Sequence, residues 1–398
     1  MDFITAAIAS YNSPLLTIVF KFVTDYFYYI FFLFLLFGVC IKIVRFRSKW
    51  RKEGYITKEI VKKIKGRTKR ELFVSYLRQF FPLLKALLKE LLPLLITPII
   101  LFLIIMPLKD AFDIERICVE GISKIECPDS YSFPSYHAAV TAFLLPALLN
   151  TQFFILYFIF YLVVSFSRIY LGVHTLSDIA GGTIIGVSIY SIIETYVTKE
   201  YKKFKFLTSR SEIGRQTFHI SFGILVIIFL FLLSQSFAEW HAIAIAFFLI
   251  FFYLAILAVS LKLSNIKIPV IDLLFSGVGG RDRFPAEGAL WYFLGVLLTV
   301  TFLQEFMEIA IVIYILAIGD GISTLVNIPS KRYTPSIFKN KTPFSVFIFA
   351  ISLLPIILFT GINGIFLIFL CTLAETMKTG INDNFLLPLV GVIFFLLV

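Results

Sequence analysis

Charge is scarce in this 398-residue chain. Asp, Glu, Lys and Arg together make up 15%, against about 25% in soluble domains. That excludes an ordinary water-facing globule. Histidine and cysteine occur only four times each. Four cysteines in a chain of this length form neither a disulfide framework nor a metal site. Cys40 and Cys371 fall in apolar runs and read as packing residues. Cys118 and Cys127 share one short polar loop, and they pair only if that loop faces an oxidising compartment. The first residues lack a basic region followed by a small-residue cleavage site, so no cleavable signal peptide is expected. The first apolar stretch reads as a retained anchor, in which Lys21 and Asp25, four apart, can pair.

Apolar residues are abundant, at 59% of the chain, with 47 phenylalanines. They fall in recurring runs of about 15–20, the length of a helix crossing a hydrocarbon core. Candidate spans lie near 26–44, 91–107, 138–150, 152–167, 178–197, 217–234, 241–261, 288–303, 309–326, 344–360, 363–378 and 385–398. The expected fold is all-α: a polytopic integral membrane protein of ten to twelve transmembrane helices in two helical bundles.

The few charges are unevenly placed. Between Lys42 and Arg78 there are fourteen Lys or Arg and three Asp or Glu, an excess equal to the +11 formal charge of the whole chain. Such juxtamembrane runs set topology or touch anionic lipids, so no nucleic-acid partner is expected. Placing 45–90 in the cytoplasm and counting crossings puts 108–137 and 168–177 outside. A second basic stretch, Lys199 to Arg210, returns to the cytoplasm and divides the chain into domains 1–200 and 201–398.

Three polar clusters interrupt the first domain, all on its expected outer face. They are Lys109 with Arg116, then Phe-Pro-Ser-Tyr-His at 133–137, then Ser167-Arg168 followed by His174 and Asp178. Cations and a hydroxyl can hold phosphate oxygens. A histidine with a carboxylate four residues on is oriented as a nucleophile, and a second histidine can protonate a leaving oxygen. Pro134-Ser135 reads as a helix start, whose free amides favour an anion.

The pattern Lys-x6-Arg, Pro-Ser-x-His, Ser-Arg-x5-His-x3-Asp resembles the type-2 phosphatidate phosphatase and haloperoxidase superfamily. The resemblance implies His174 as a nucleophile that becomes phosphohistidine, Asp178 as its partner and His137 as general acid. It implies Lys109, Arg116, Ser135, Ser167 and Arg168 as the phosphate cradle, and no metal. Two positions depart from the pattern. Ile117 follows Arg116 where proline is usual, and Tyr136 replaces a glycine, so its side chain must point away from the phosphate.

The polar clusters of the second domain fall on the expected cytoplasmic side. Glu212, Arg215 and His219 share one helix face at i, i+3 and i+7. Arg281-Asp282-Arg283 precedes Glu287, Gly319-Asp320-Gly321 lies in an apolar run, and a basic loop carries Lys331, Arg332, Lys339 and Lys341. Glu375 and Asp383 come last. Carboxylates for Mg²⁺, cations for phosphates and glycines for close backbone approach make an inward-facing site. Asp320, within an apolar helix, is costly to bury and points to function.

Glu-x2-Arg-x3-His, Glu-Gly-Ala-Leu, Ile-Gly-Asp-Gly, Lys-Thr and Asp-Asn-x3-Pro together resemble the polyprenol kinase family, which includes dolichol kinase, phytol kinase and CTP-dependent diacylglycerol kinase. Gln216 stands where that family commonly has lysine. The resemblance implies CTP, Mg²⁺ and an isoprenoid or other lipid alcohol. It places Asp320 and Asp383 on the metal, and Arg215, His219, Glu287, Gly319, Gly321, Arg332 and Lys341 around the nucleotide and its phosphates.

The expected protein is thus a bifunctional enzyme of lipid phosphates and polyprenyl substrates, seated among membrane lipids, in the plasma membrane, with an external phosphatase site and a cytoplasmic kinase site. A CTP-dependent cytidylyltransferase in the second half, or a lipid transporter, are the alternatives. Transporters gather ionisable groups near the bilayer midplane, whereas most charges here fall at the expected membrane faces.

Overall fold

The computed structural model describes residues 2–52, 69–121, 123–198, 209–266, 284–327, 341–377 and 379–398. Among the described residues there is helix and no strand. The first half comprises α1 (Phe3–Ser10), α2 (Pro14–Asp25), α3 (Phe27–Lys52), α4 (Lys69–Phe112), α5 (Tyr136–Ala142), α6 (Leu144–Leu148), α7 (Phe154–Tyr170) and α8 (Leu176–Thr198). The second comprises α9 (Ser209–Ser236), α10 (Trp240–Leu263), α11 (Glu287–Phe302), α12 (Phe306–Tyr314), α13 (Asp320–Asn327), α14 (Pro343–Ser352), α15 (Ile357–Thr360), α16 (Asn363–Thr376) and α17 (Asp383–Leu397). A single π-helical turn, Ile315–Gly319, joins α12 to α13.

Local sequence explains the helix starts. Ser13 and Thr342 each precede a proline at the first helical position, and their hydroxyls accept from Leu16 N and Ser345 N. Asn382 caps α17 in the same way, through Asn384 N.

Seven described helical stretches are long and apolar enough to cross a bilayer, and five shorter apolar helices of 10–17 residues accompany them. A count of ten to twelve crossings therefore needs several of the shorter ones. The first apolar stretch is not one straight anchor. α1 and α2 meet at 105°, because Tyr11 leaves the helical conformation before the Ser13-Pro14 start of α2. Lys21 and Asp25 are exposed on α2, and no ion pair joins them.

In lipid, helices associate through close packing more than through burial from water. The closest crossing in the first half is α5 on α8. There Gly182 and Gly186 face the carbonyls of Ser135 and Ala139, and a Cβ on either glycine would collide with that backbone. Gly181 leaves room for the Phe133 ring. These glycines fix the start of α5, where Ser135 and His137 sit.

The two halves share one core, which runs from Phe27 and Phe143 through Tyr190 to Phe248, Leu297 and Val392. Tyr161 Oη lies 2.6 Å from both Thr183 Oγ1 and Tyr253 Oη. Phe302 of α11 packs on Phe112 and Phe133, with ring centroids at 5.9 and 5.2 Å. Helix α8 positions both polar regions. Asp178 occupies its first turn, and Tyr196, near its other end, donates to the Thr379 carbonyl between α16 and α17.

Candidate active site

His174 lies in the short connection between α7 and α8, where both of its ring nitrogens are engaged. Nδ1 is 3.2 Å from Asp178 Oδ2, and Nε2 is 3.1 Å from a terminal nitrogen of Arg116. A guanidinium only donates, so Nε2 carries the lone pair and Nδ1 the proton, which it donates to the carboxylate. The same Asp178 oxygen accepts from Ser132 Oγ at 2.5 Å and from Thr175 N at 2.7 Å. Three donors hold this carboxylate, and it in turn holds the imidazole. His174 is 1% exposed. Burial pushes its imidazole down to about 3, against the opposing pull of Asp178, which keeps the ring neutral.

Cations surround Nε2. Arg116 also binds the Ser130 carbonyl through Nε at 2.6 Å and the Val173 carbonyl at 3.0 Å. Lys109, at the end of α4, donates to the carbonyls of Tyr131 and Ser132. Arg116 thereby braces the 130–132 loop against the histidine connection, and Lys109 ties the same loop to α4. Arg168 is buried near the end of α7, and its Nε has no hydrogen-bond partner among the described residues. A buried, unmatched cationic N–H is costly unless an anion visits it.

His137 follows Ser135 at the start of α5. Its ring centroid lies 4.5 Å from that of Phe27, and Lys109, Arg116, Arg168 and His174 are all close enough to act on it electrostatically. Ser135 caps α5 by accepting from Ala138 N at 3.5 Å, and its own N–H donates to the Asp178 carbonyl at 3.0 Å. Tyr136 turns to Phe102 on α4, with ring centroids 6.1 Å apart, away from the histidines as its place in the motif requires.

Lys109, Arg116, Ser135, His137, Arg168, His174 and Asp178 thus converge. Ser167, next to Arg168, has its hydroxyl proton on the Val164 carbonyl of its own helix at 2.7 Å, and no contact with the other members is seen among the described residues. Ser132 joins unforeseen, since a lone serine carries no spacing signal.

Residues 73–202 match the PAP2 superfamily. Every residue assigned to the first constellation from sequence lies in this PAP2 segment, which is about a third of the chain. The uncharacterised protein MJ1137 of Methanocaldococcus jannaschii is 24% identical over 181 residues, covering 45% of this chain and 90% of the relative. No solved structure matches.

A second constellation lies outside the PAP2 segment. Ligand atoms of Asp320, Glu375 and Asp383 all fall within 4.8 Å of one another. Lys341 sits among them, 3.3 Å from Asp320 Oδ1 and in direct contact with Glu375 Oε1, and it also donates to Ser323 and Thr324 at 3.1 Å. Burial disfavours its charge, but Glu375 and Asp320 outweigh this and raise its pKa above the ordinary lysine value. Lys341 therefore neutralises carboxylates here, which differs from its expected contact with phosphates.

Glu375, fully buried, keeps its second oxygen without a hydrogen-bond partner. His219 lies 4.0 Å from Asp320 Oδ2, and its Nε2 is 3.0 Å from the Leu316 carbonyl. Arg215, one turn earlier on α9, acts on Asp320 electrostatically. Glu287 begins α11, which is tied to α17 by Asn384 Nδ2 donating to the Gly288 carbonyl at 2.8 Å.

The glycines take a different role from the expected one. Gly319 packs on Phe349, and Gly321 on Ile220, so each serves a helix crossing. Arg332, with Lys331, Lys339 and Arg281 to Arg283, lies outside the described residues. Glu375 is the member that sequence left unassigned.

Proposed function

We propose that the PAP2 segment is a phosphatase of lipid phosphates that works through a phosphohistidine at His174. The observation that carries this is the imidazole itself. It is neutral, its Nδ1 proton is held by Asp178, and its Nε2 lone pair is aimed into a cluster of buried cations.

In the first step the Nε2 lone pair attacks phosphorus and the bond from phosphorus to the lipid oxygen breaks. His137, which takes up a proton once the negative charge of the bound phosphate offsets the cations around it, gives that proton to the oxygen, releasing a lipid alcohol, or a monophosphate if the substrate is a diphosphate. Asp178 stabilises the positive charge that develops on His174. In the second step His137 takes a proton from water, the hydroxide oxygen bonds to phosphorus and the P–N bond breaks. Inorganic phosphate leaves, and His174 recovers its lone pair. Arg116, Lys109 and Arg168 stabilise the charge spread over the phosphoryl oxygens, an electrostatic contribution made by groups already in place.

The test uses purified protein in detergent with a panel of lipid mono- and diphosphates. Phosphate release, together with an acid-labile phosphoenzyme absent from His174→Ala, is the expected result. Release undiminished in His174→Ala would overturn the mechanism.

A second reading is favoured by the Asp320–Glu375–Asp383 cluster: a phosphotransferase site that takes CTP and a polyprenol or other lipid alcohol. Three carboxylates around Lys341, with the Arg215 charge acting on Asp320 as well, still leave an excess of negative charge, and the unmatched Glu375 oxygen is a ready ligand, so the donor set fits Mg²⁺. Asp320, Glu375 and Asp383 would hold that ion, which would neutralise nucleotide phosphates. Arg215 and His219 flank the cluster from α9. CTP labelled at the γ-phosphate, or at the α-phosphate, is offered with dolichol, phytol or diacylglycerol. Label on the lipid from the γ position identifies a kinase, from the α position a cytidylyltransferase, and from neither rules out both.

A further inference from the structure

Arg168 reaches across to an element that lies outside the PAP2 segment. Its NH1 donates to Thr24 Oγ1 at 3.2 Å, while its Nε stays buried and without a partner among the described residues. Thr24 stands in the last turn of α2, 144 residues away in sequence. Its own hydroxyl proton goes to the Phe20 carbonyl at 2.9 Å. The hydroxyl therefore cannot turn its proton toward Arg168, and what it offers the guanidinium is a fixed lone pair.

The helix that carries Thr24 is itself held in place. Tyr170, two residues after Arg168, donates from Oη to the Ser13 carbonyl at 3.0 Å, accepts from Ser13 N at 2.9 Å and lies 3.0 Å from Thr17 Oγ1. Thr5 Oγ1 accepts from Leu176 N at 3.1 Å, tying α1 to the start of α8. At the α2–α3 corner, Phe27 lies against the His137 ring.

We propose that Thr24 is a positioning residue for the phosphatase. It holds one edge of the Arg168 guanidinium, so that the Nε edge is presented to the phosphoryl oxygens. This rests on the phosphatase reading above.

The test compares Thr24→Val, which keeps the shape and removes the acceptor, with Thr24→Ser, which keeps the acceptor. Hydrogen bonds to charged groups set the expected scale. Thr24→Val should lower kcat/KM, and weaken binding of inorganic phosphate, by about 10- to 100-fold. Its thermal midpoint should be unchanged. Thr24→Ser should recover most of the wild-type value, and Thr24→Val should cost little more once Arg168→Lys is present. Wild-type behaviour of Thr24→Val, a serine variant as poor as the valine variant, or losses that multiply in the Arg168→Lys background would each overturn the proposal.

His174→Ala separates the two readings. If it still hydrolyses lipid phosphates, the phosphohistidine mechanism fails, while the phosphate-binding comparison of the Thr24 variants still decides the role of Thr24. If the wild-type protein binds no phosphate, both fail.

Discussion

At the scale of single residues, the first site is built to keep one lone pair available. Asp178 accepts from Ser132, Thr175 and His174 together, so removing its charge loosens the tautomer as well as the orientation. Asp178→Asn should reduce turnover by about 10⁴, the scale seen when a histidine–carboxylate pair loses its carboxylate. His137→Ala should cost about 10²–10⁴, the range for a lost general acid. Phosphate release measured on folded variants checks both. The pH dependence has a definite sign. With its pKa held down to about 3 by burial, the His174 imidazole stays neutral as pH falls from 7 to 5, and protonation does not remove the nucleophile. Corrected for the substrate's own ionisation near pH 6, kcat/KM should not fall over that window, since protonation of the general acid His137 can only raise it. A fall with a break near 6.5 would show the His174 imidazole titrating normally and would contradict the buried, neutral ring. In the second site, Glu375→Gln removes one carboxylate charge and the free oxygen together. It should abolish Mg²⁺-dependent phosphotransfer and leave phosphate release intact, measured on the same preparation.

At the scale of elements, small residues decide where Ser135 and His137 stand. Gly182 and Gly186 let α5 approach α8 until the Ser135 and Ala139 carbonyls touch the α8 backbone. Gly186→Ala must push α5 outward, moving Ser135 and His137 away from His174. A misplacement of about 1 Å costs on the order of 10²-fold in rate, and that loss is expected here with a lowered thermal midpoint. Gly214→Ala, where a Cβ meets nothing within 4 Å, should leave the rate unchanged and should not lower the midpoint, since alanine favours the helix. The first site was largely legible because its members fall in three short polar interruptions of apolar sequence, where residue type and order follow from chemistry. Ser132 and Thr24 were not legible, because their partners lie 46 and 144 residues away and only the tertiary fold joins them. Glu375 was visible as a polar residue, but its role appears only when α16 brings it to Ser323, 52 residues earlier. The glycines of Gly319-Asp320-Gly321 misled for the same reason. Sequence shows that a backbone can be approached closely, not whether a ligand or a phenylalanine does the approaching. The apolar period gave helices readily, but not the 105° bend between α1 and α2 or the π-helical turn before Asp320. Such turns commonly mark functional positions in helices.

At the scale of the whole molecule, the two constellations occupy opposite ends of α8, a 23-residue helix about 35 Å long. Asp178 begins it, and near its far end Tyr196 meets the loop between Glu375 and Asp383. That distance is close to a bilayer's thickness, so the two sites should face different compartments. The disulfide between Cys118 and Cys127 lies in the loop that follows Arg116, at the histidine end. Disulfides persist in oxidising compartments. At the other end Lys42 pairs with Glu194 at 2.8 Å, beside the start of the basic run that by its charge belongs in the cytoplasm. Charge and redox chemistry, two unrelated signals, therefore predict the same orientation. Single cysteines at the exposed positions Asp129 and Ser48 test it. The background retains the Cys118–Cys127 pair and replaces Cys40 and Cys371. In sealed right-side-out vesicles an impermeant maleimide should label position 129 at once, and position 48 only after the membrane is opened. Labelling of both in intact vesicles would put the histidine site and the carboxylate cluster on one side. A lipid leaving one site would then reach the other without crossing the bilayer. Labelling from opposite sides instead requires that any lipid used by both sites be carried across, by this protein or another.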